Sequence, residues 1–306
     1  MTVACVTGAS GFIGGALVRR LGDCGRDVLP AVRGAATQGI GELARRSQGD
    51  LARALEGTDT VYHLAGLHEG SGHATAADYE AINRDLTLRL FHAADAAGVR
   101  TFVWLSTIKV LGEVAEEPLG SEAPYAPVGD YAESKCRAER ALLDARAHST
   151  ILVIVRPPLV YGPGVRGNFA ALMRLAGTGL PLPLAGATAS RSMIGLANLV
   201  DVLALLPAAD LGRAEILHVR DAEDWRVTDL AGELQRLSGH SRRQFRVSGK
   251  LAESIAGPLG MGGMVSRLFD PLRVDAESSE RRLGWKPGRP SAELLEETVA
   301  WTRLKR

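Results

Sequence analysis

Short apolar runs recur along the first half of the chain, each followed by a longer stretch with helical spacing. The runs Val3–Val6, Val28–Val32, Thr60–Leu64, Thr101–Leu105 and Leu152–Val155 suit buried parallel strands. Phe12 to Leu21 reads as the first helix, and helical patterns fill the other intervals, including Asp78–Ala97 and Tyr131–Ala147. This alternation predicts an α/β fold, a Rossmann-like doubly wound parallel sheet with helices on both faces. Gly162-Pro163-Gly164 is the strongest break. Beyond it the pattern loosens through Gly177–Gly186 and Gly257–Gly263, although Glu215–Val219 reads as one more strand. The expected organisation is a sheet domain over residues 1–161 and a smaller C-terminal lobe over 162–306, interleaved with it.

The first strand runs directly into Thr7-Gly8-Ala9-Ser10-Gly11-Phe12-Ile13-Gly14, giving the order strand, glycine turn, helix. In that context Gly8 permits a tight turn, Gly11 lets the backbone approach a pyrophosphate, and Gly14 allows the helix to pack closely on the strand. The helix N-terminus offers free N–H groups to the anion. The spacing is GxxGxxG, and in a chain with 35 glycines a plain turn is the alternative.

Composition narrows the setting. With 306 residues, 46% of them hydrophobic, the chain can bury a substantial core, and a net charge of +1 implies neither a nucleic-acid nor a membrane partner. Cys5, Cys24 and Cys136 are odd in number, which fits a reducing compartment and excludes a disulfide scaffold. No basic leader or membrane-length apolar run is present, so a soluble, cytoplasmic protein is expected.

The second strand ends at Val32-Arg33, where an acidic residue would serve the ribose 2′-hydroxyl of NAD. Arg33 suits a 2′-phosphate better, so NADPH is favoured and NAD remains possible; a solvated surface arginine is the plain alternative. Asp50-Leu51, before the third strand, could hold the adenine, or Asp50 is an exposed loop residue. His63-Leu64-Ala65-Gly66 ends that strand with small residues where a cofactor can lie against the backbone. His63, His68 and His73 match neither a helix nor a strand face, and no metal site is expected from them.

Tyr131-Ala132-Glu133-Ser134-Lys135 supplies the chemistry. On a helix, positions i and i+4 share a face, which brings the Lys135 ammonium toward the Tyr131 phenol. A cation there favours the phenolate, and a lowering of two to three pKa units corresponds to roughly 3–4 kcal/mol. Tyr131 is therefore a candidate general acid/base. Ser106-Thr107 stand at the end of the fourth strand, at the edge where ligands bind. The alternative for Thr107 is a hydroxyl that caps its own backbone.

Taken in order, these segments resemble the extended short-chain dehydrogenase/reductases, in the nucleotide-sugar epimerase/dehydratase branch. The likeness includes the glycine start, His63 to Gly66, Asn83 and Ser106 to Gly112. It continues through Tyr131 to Lys135, Arg156 to Gly164, Arg191 to Asp201, Val274-Asp275 and Leu283 to Pro287. The resemblance implies a catalytic triad of Thr107, Tyr131 and Lys135, with Lys135 also bonding the nicotinamide ribose. It further implies cofactor contacts from Phe12, Ile13, Leu64, Ala65, Gly66, Asn83, Leu105, Pro158 and Val160. Lys109, Asn168 and Arg191, with Arg267 or Arg273, are implied on the nucleotide-sugar side, a UDP-sugar being the expected substrate. A guanidinium at Arg191 can bind phosphate oxygens bidentately. The family also implies a homodimer through the helices around Asp78–Ala97 and Tyr131–Ala147, each of which shows an apolar face beyond what the sheet needs.

Departures from the family pattern narrow the reaction. Sugar 4,6-dehydratases place an Asp-Glu pair after the catalytic threonine, whereas this chain has Ile108 and Lys109, which argues against dehydration. The remaining readings are a 4-ketoreductase of a UDP-(N-acetyl)hexos-4-ulose in surface polysaccharide synthesis, favoured by Arg33, and a UDP-hexose or UDP-N-acetylhexosamine 4-epimerase. A non-catalytic cofactor sensor on the same fold is the third, and the intact Thr107/Tyr131/Lys135 set argues against it.

Overall fold

The computed structural model describes residues 3–31, 47–69, 72, 74–145, 147–248 and 269–304. Val32, Arg33, His73, Gly257–Gly263 and Arg267 lie outside them, so the readings made on those positions have no structural account. In chain order the described strands are β1 (Val3–Thr7), β2 (Asp27–Ala31), β3 (Thr60–His63), β4 (Thr101–Leu105), β5 (Ala115–Leu119), β6 (Ile151–Arg156), β7 (Leu159–Tyr161), β8 (Ser190–Arg191), β9 (Met193–Gly195), β10 (Ala214–His218), β11 (Trp225–Arg226) and β12 (Leu272–Val274). The helices are α1 (Phe12–Asp23), α2 (Gln48–Ala54), α3 (Ala76–Tyr79), α4 (Leu86–Ala96), α5 (Gly129–Asp144), α6 (Gly167–Ala176), α7 (Leu196–Leu205), α8 (Val227–Leu237), α9 (Glu277–Leu283) and α10 (Ser291–Leu304). A π-helical stretch, Glu80–Asp85, joins α3 to α4.

Six strands form one parallel sheet in the order β10-β6-β4-β3-β1-β2. The apolar runs become strands because their side chains feed two cores in alternation. Phe102 and Trp104 of β4, with Leu152 and Ile154 of β6, pack on one face against Leu51, Leu90, Phe91 and Leu142. Val103, Leu105, Val153 and Val155 pack on the other against Leu17, Leu21, Leu199 and Leu203. Each fully buried leucine of this kind contributes about 1.5–3 kcal/mol. Pro30 is tolerated because β2 is an edge strand.

The chain crosses from β1 outward to β2 and then back past β1 to β3, so strand order reverses between β1 and β3. That reversal opens a crevice at the carboxyl ends of the strands, the usual ligand site of such sheets. The halves of the chain exchange strands. β10 completes the main sheet beside β6, while β5 joins β11, β8 and β12 in a four-stranded sheet. β7 and β9 form a parallel pair, and a third core gathers Tyr161, Phe169, Leu172, Leu230, Leu234 and Leu295. Among the described residues no helix is long and apolar enough to cross a membrane.

The surplus apolar faces expected on the 78–97 and 131–147 helices are largely absent. The outward side of this region is charged, with Arg84 and Arg137 paired to Glu80 and Arg137 also to Glu133. Among the described residues Leu143 is the exposed large apolar side chain there. The sequence pattern overstated those faces because Ala93, Ala94, Ala138 and Leu142 are consumed by the sheet contact.

Under the ends of β4 and β6 lies a buried ionic cluster. Arg156 Nε donates to both oxygens of Glu139, at 3.0 and 3.1 Å, and its Nη2 reaches Oε2 at 2.5 Å. Ser106 Oγ donates to the same carboxylate, and Tyr125 OH donates to Oε2 at 2.8 Å. His218 receives Arg156 Nη1 at 3.4 Å and bonds the Leu119 carbonyl at 3.2 Å through Nδ1. Burial, with Arg156 beside it, pushes the His218 imidazole down to about 4, so it stays neutral. Replacing Arg156 by methionine leaves the Glu139 charge buried without its main partner. We expect a loss of about 3–5 kcal/mol, read as a lower denaturation midpoint; an unchanged midpoint would show that the cluster is energetically idle.

Candidate active site

The glycine turn after β1 and the segment after β3 meet face to face at the crevice. Gly8 has φ +74°, and a Cβ there would lie 3.0 Å from Ala65 N and 3.2 Å from Leu64 C. A Cβ on Gly14 would lie 2.1 Å from the Gly8 carbonyl oxygen, so α1 can approach the turn this closely only with glycine. Gly11 caps α1 without a side-chain bond, and the first turn holds no acidic residue. Its first N–H groups therefore meet the crevice with no acidic side chain in that turn to repel an anion. These residues fit a dinucleotide: the cradle is one a methyl group would fill, and the helix end is free for a pyrophosphate. Phe12 and Ile13 are partly buried against the core behind the turn.

A chain of buried polar contacts runs from this cradle toward α5. Thr7 Oγ1 bonds His63 Nδ1 at 2.7 Å, and His63 Nε2 bonds Thr87 Oγ1 at 2.9 Å. Thr87 donates to the Asn83 carbonyl at 2.8 Å. The Asn83 side chain accepts from Leu67 N at 2.8 Å and donates to Ser134 Oγ at 3.0 Å, while Ser134 donates to the Tyr131 carbonyl at 2.8 Å. His63 is fully buried, and burial, with Lys135 adding to it, pushes its imidazole down to about 3. It is a neutral core histidine. The pattern of residues gave no sign of Thr7, Thr87 or Ser134 in this chain; the hydroxyl type at each position was the available signal. Asn83 sits in the π-helical stretch, where the extra residue in the turn aims its amide inward.

Thr107 and Tyr131 come together at the end of β4, close enough that the threonine hydroxyl favours the phenolate. Thr107 also caps the short 3-10 turn Ile108–Leu111, its Oγ1 accepting from Lys109 N at 3.3 Å, as the capping alternative for this hydroxyl expected. Tyr131 follows Gly129, whose φ of +81° turns the chain into α5, and its ring stands edge-on to Tyr79 at 6.3 Å. Lys135 is buried one turn later. Its Nζ donates to the Leu105 carbonyl at 2.9 Å and lies 4.5 Å above the Trp104 ring. Gly66 closes this corner, since a Cβ there would come 2.9 Å from Asn83 Oδ1 and 3.6 Å from Lys135 Nζ.

The electrostatics correct one expectation. Lys135 does not lower the Tyr131 phenol. Burial raises the phenol to about 12, against the Thr107 hydrogen bond that lowers it, with Glu69 and Tyr79 adding to the rise. The ammonium is spent on Leu105 and Trp104, and burial drops Lys135 to about 8 while Glu139 pulls it up.

The other sequence-predicted residues divide. Leu64, Ala65 and Leu105 line the crevice segments described above. Leu51 is a core residue, and Asp50 lies in the first turn of α2, bonded to Ser47 and Arg53, rather than in a loop. Pro158 is buried and Val160 partly so, on the segment following β6. Lys109 is ion-paired to Glu69 and Glu113. Arg191 donates to the Asp270 carbonyl at 2.6 Å and Arg273 to the Glu116 carbonyl at 3.0 Å, from adjacent strands of the small sheet. Asn168 is exposed in the first turn of α6.

Residues 4–216 match the family model described as the NAD dependent epimerase/dehydratase family. The chain belongs to that family. It is 32% identical over 306 residues to a UDP-glucose 4-epimerase of Vibrio cholerae, covering 96% of this chain and 93% of the relative. A 3 beta-hydroxysteroid dehydrogenase/Delta 5-->4-isomerase of Mycobacterium tuberculosis is 29% identical, covering 97% and 89%, which shows how widely the substrate varies on related sequences. Among solved structures, MoeE5 in complex with UDP-glucose and NAD superposes with a TM-score of 0.80 at 25% identity, covering 100% of this chain and 99% of that one. The fold and the cofactor class read from the sequence stand: a Rossmann-like NAD(P)-binding oxidoreductase of the epimerase and reductase group.

Gly14→Ala tests the cradle. The added methyl must push α1 off the turn, so we expect dinucleotide affinity to fall at least about tenfold in a fluorescence titration, with the fold retained. Wild-type affinity would place the pyrophosphate elsewhere.

Proposed function

We propose that the chain carries out oxidoreduction at C4 of a UDP-sugar, most simply as a 4-epimerase. The observation that carries this reading is the Thr107–Tyr131 hydroxyl pair, set at the carboxyl end of β4 beside the glycine cradle. The nearly full-length likeness to a UDP-glucose 4-epimerase supports the epimerase form. NADPH-dependent reduction of a 4-keto sugar is the second reading, favoured by Arg33 in the sequence.

A bound nicotinamide dinucleotide supplies the hydride acceptor and donor. The protein's part is proton and charge control. Thr107 and Tyr131 offer two hydroxyls to one sugar oxygen; as the phenol, Tyr131 donates its proton on reduction, and only as the phenolate could it take the sugar hydroxyl's proton on oxidation. Burial holds the phenol up, so the donor form is the one present at neutral pH, and the base form would need the positive charge that a bound oxidised nicotinamide would bring to the crevice. Lys135, buried and fixed by Leu105 and Trp104, presents its ammonium at the crevice floor, where a ribose hydroxyl is the fitting partner. We assign residues 1–161 mainly to the cofactor and 162–306 mainly to the nucleotide sugar, with Asn168, Arg191 and Arg273 on the diphosphate side. A homodimer through the α4 and α5 region now rests on the family resemblance alone, since the outward face there is charged, and sedimentation at micromolar concentration checks it.

Tyr131→Phe is expected to keep cofactor affinity and lose at least about a hundredfold in turnover, whereas Lys135→Ala should harm both. Near-normal turnover in Tyr131→Phe would end the catalytic assignment. Incubation with UDP-glucose, catalytic NAD and no reductant separates the two reactions, since only an epimerase yields UDP-galactose. For the cofactor, Arg33→Asp should reverse any preference for NADPH, a contact of this kind being worth about 1.5–3 kcal/mol. Equal wild-type affinity for NADH and NADPH would make Arg33 a surface arginine and remove the support for the reductase.

A further inference from the structure

Beside Tyr131 stands a second tyrosine that the chemistry above does not use. Tyr79 closes the short helix α3 and is buried, whereas Tyr131 is partly exposed. The two rings meet edge-on, 6.3 Å between centroids with 61° between their planes, an arrangement that aromatic quadrupoles favour. The Tyr79 hydroxyl is committed elsewhere, donating to the His68 carbonyl at 3.0 Å. The start of α3 is fixed as well, because Thr75 Oγ1 accepts from Asp78 N at 3.2 Å and the Asp78 carboxylate accepts from Thr75 N at 2.8 Å. Four residues after Tyr79, Asn83 repeats the arrangement. Its side chain accepts from Leu67 N at 2.8 Å, donates to the Leu67 carbonyl at 3.0 Å and reaches Ser134 Oγ at 3.0 Å. Tyr79 and Asn83 thus hold adjacent residues of the segment after β3 while touching Tyr131 and Ser134, three residues apart on α5. The stretch from α3 to Asn83 is a wedge between that segment and the helix that bears the phenol.

We propose that Tyr79 is a positioning residue: buried and tied to His68, its ring is the wall that keeps the Tyr131 ring in the rotamer that turns its hydroxyl toward Thr107. A tyrosine side chain has staggered wells at χ1, and a partly exposed ring without a wall on one side is free to leave the reactive one. Proton transfer to or from a sugar oxygen needs the two oxygens within hydrogen-bond reach, about 2.6–3.2 Å. Time spent in another well is therefore lost from turnover and not from binding, since the cradle and the substrate lobe are untouched. The ring is the part of Tyr79 that matters here, and its hydroxyl serves to hold the ring in place.

The effect on turnover rests on the catalytic reading of Tyr131, whereas the ring contact is read without substrate. The full chain, with its tyrosine rings labelled with carbon-13, has five tyrosines, and the Tyr131 signals are those missing from Tyr131→Phe. Tyr79→Leu removes the wall and should displace the Tyr131 signals, which lose the ring current of their neighbour. Tyr79→Phe keeps the ring and should displace them far less. With UDP-glucose and NAD, Tyr79→Leu should lower kcat at least about tenfold while KM for cofactor and sugar stays within about twofold, and Tyr79→Phe should recover most of the rate. Tyr79→Met, which fills the space with a flexible ringless chain, repeats the test should Tyr79→Leu not fold. An unmoved Tyr131 signal in the ringless variant, or Tyr79→Phe as slow as that variant, overturns the proposal. Tyr131→Phe is assayed alongside. Full activity there sinks the catalytic reading and leaves the wall judged by the ring signals, whereas an inactive Tyr131→Phe beside a fully active ringless variant sinks the wall alone.

Discussion

The buried pair between Arg156 and Glu139 is the constraint on which the site is built. Two charges removed from water cost several kcal/mol each, and only a nearly complete set of partners offsets that cost. Glu139 has that set, taking bonds from Arg156, Ser106 and Tyr125. Each partner comes from a different segment: Ser106 follows β4, Arg156 ends β6, and Tyr125 lies on the approach to α5. Glu139 itself is one turn beyond Lys135. A shift of α5 by even part of a turn would strand a carboxylate in the core, so Tyr131 and Lys135 are held in register with the end of β4. The pair's worth lies in fixing one arrangement rather than in net stability.

A second constraint links the glycine turn to the first turn of α5. The contacts from Thr7 through His63, Thr87, Asn83 and Ser134 to Tyr131 cross the buried face of the sheet with each member bonded to the next. Such a network is stable only when all members are satisfied, which favours a neutral His63 over a charged one. The glycine cradle and the backbone of Tyr131 are thus joined through a continuous set of polar contacts.

Much of this was readable in the residues, and the exceptions have physical reasons. The strands of the main sheet were visible because burial on both faces demands unbroken apolar runs, with ends displaced by a residue or so, as at Asp27–Ala31 and Ala214–His218. The glycine turn was visible because steric limits leave no other residue. β5 was not, since Ala115-Glu116-Glu117-Pro118-Leu119 is an edge strand whose charges and proline face away from a core. β8 and β12 are too short to show a period. The pairing of Arg156 with Glu139 joins residues 17 apart in sequence through tertiary contact, and no local pattern announces it. The direction of the Tyr131 shift was misread because helical spacing brings Lys135 to the right face but does not say what else competes for its ammonium.

The exchange of strands between the halves has a consequence for how the chain is made. β6 is bordered by β4 on one side and by β10 on the other, and β10 belongs to residues 214–218. While the ribosome has delivered only the first half, β6 presents an open edge flanked by apolar side chains on both faces, the kind of surface that recruits other strands. The break at Gly162 is therefore a boundary in sequence pattern but not a point of autonomy. A nascent chain paused there is an incomplete sheet waiting for its last strand, and protection of that edge until residue 218 has emerged falls to chaperones or to speed of synthesis.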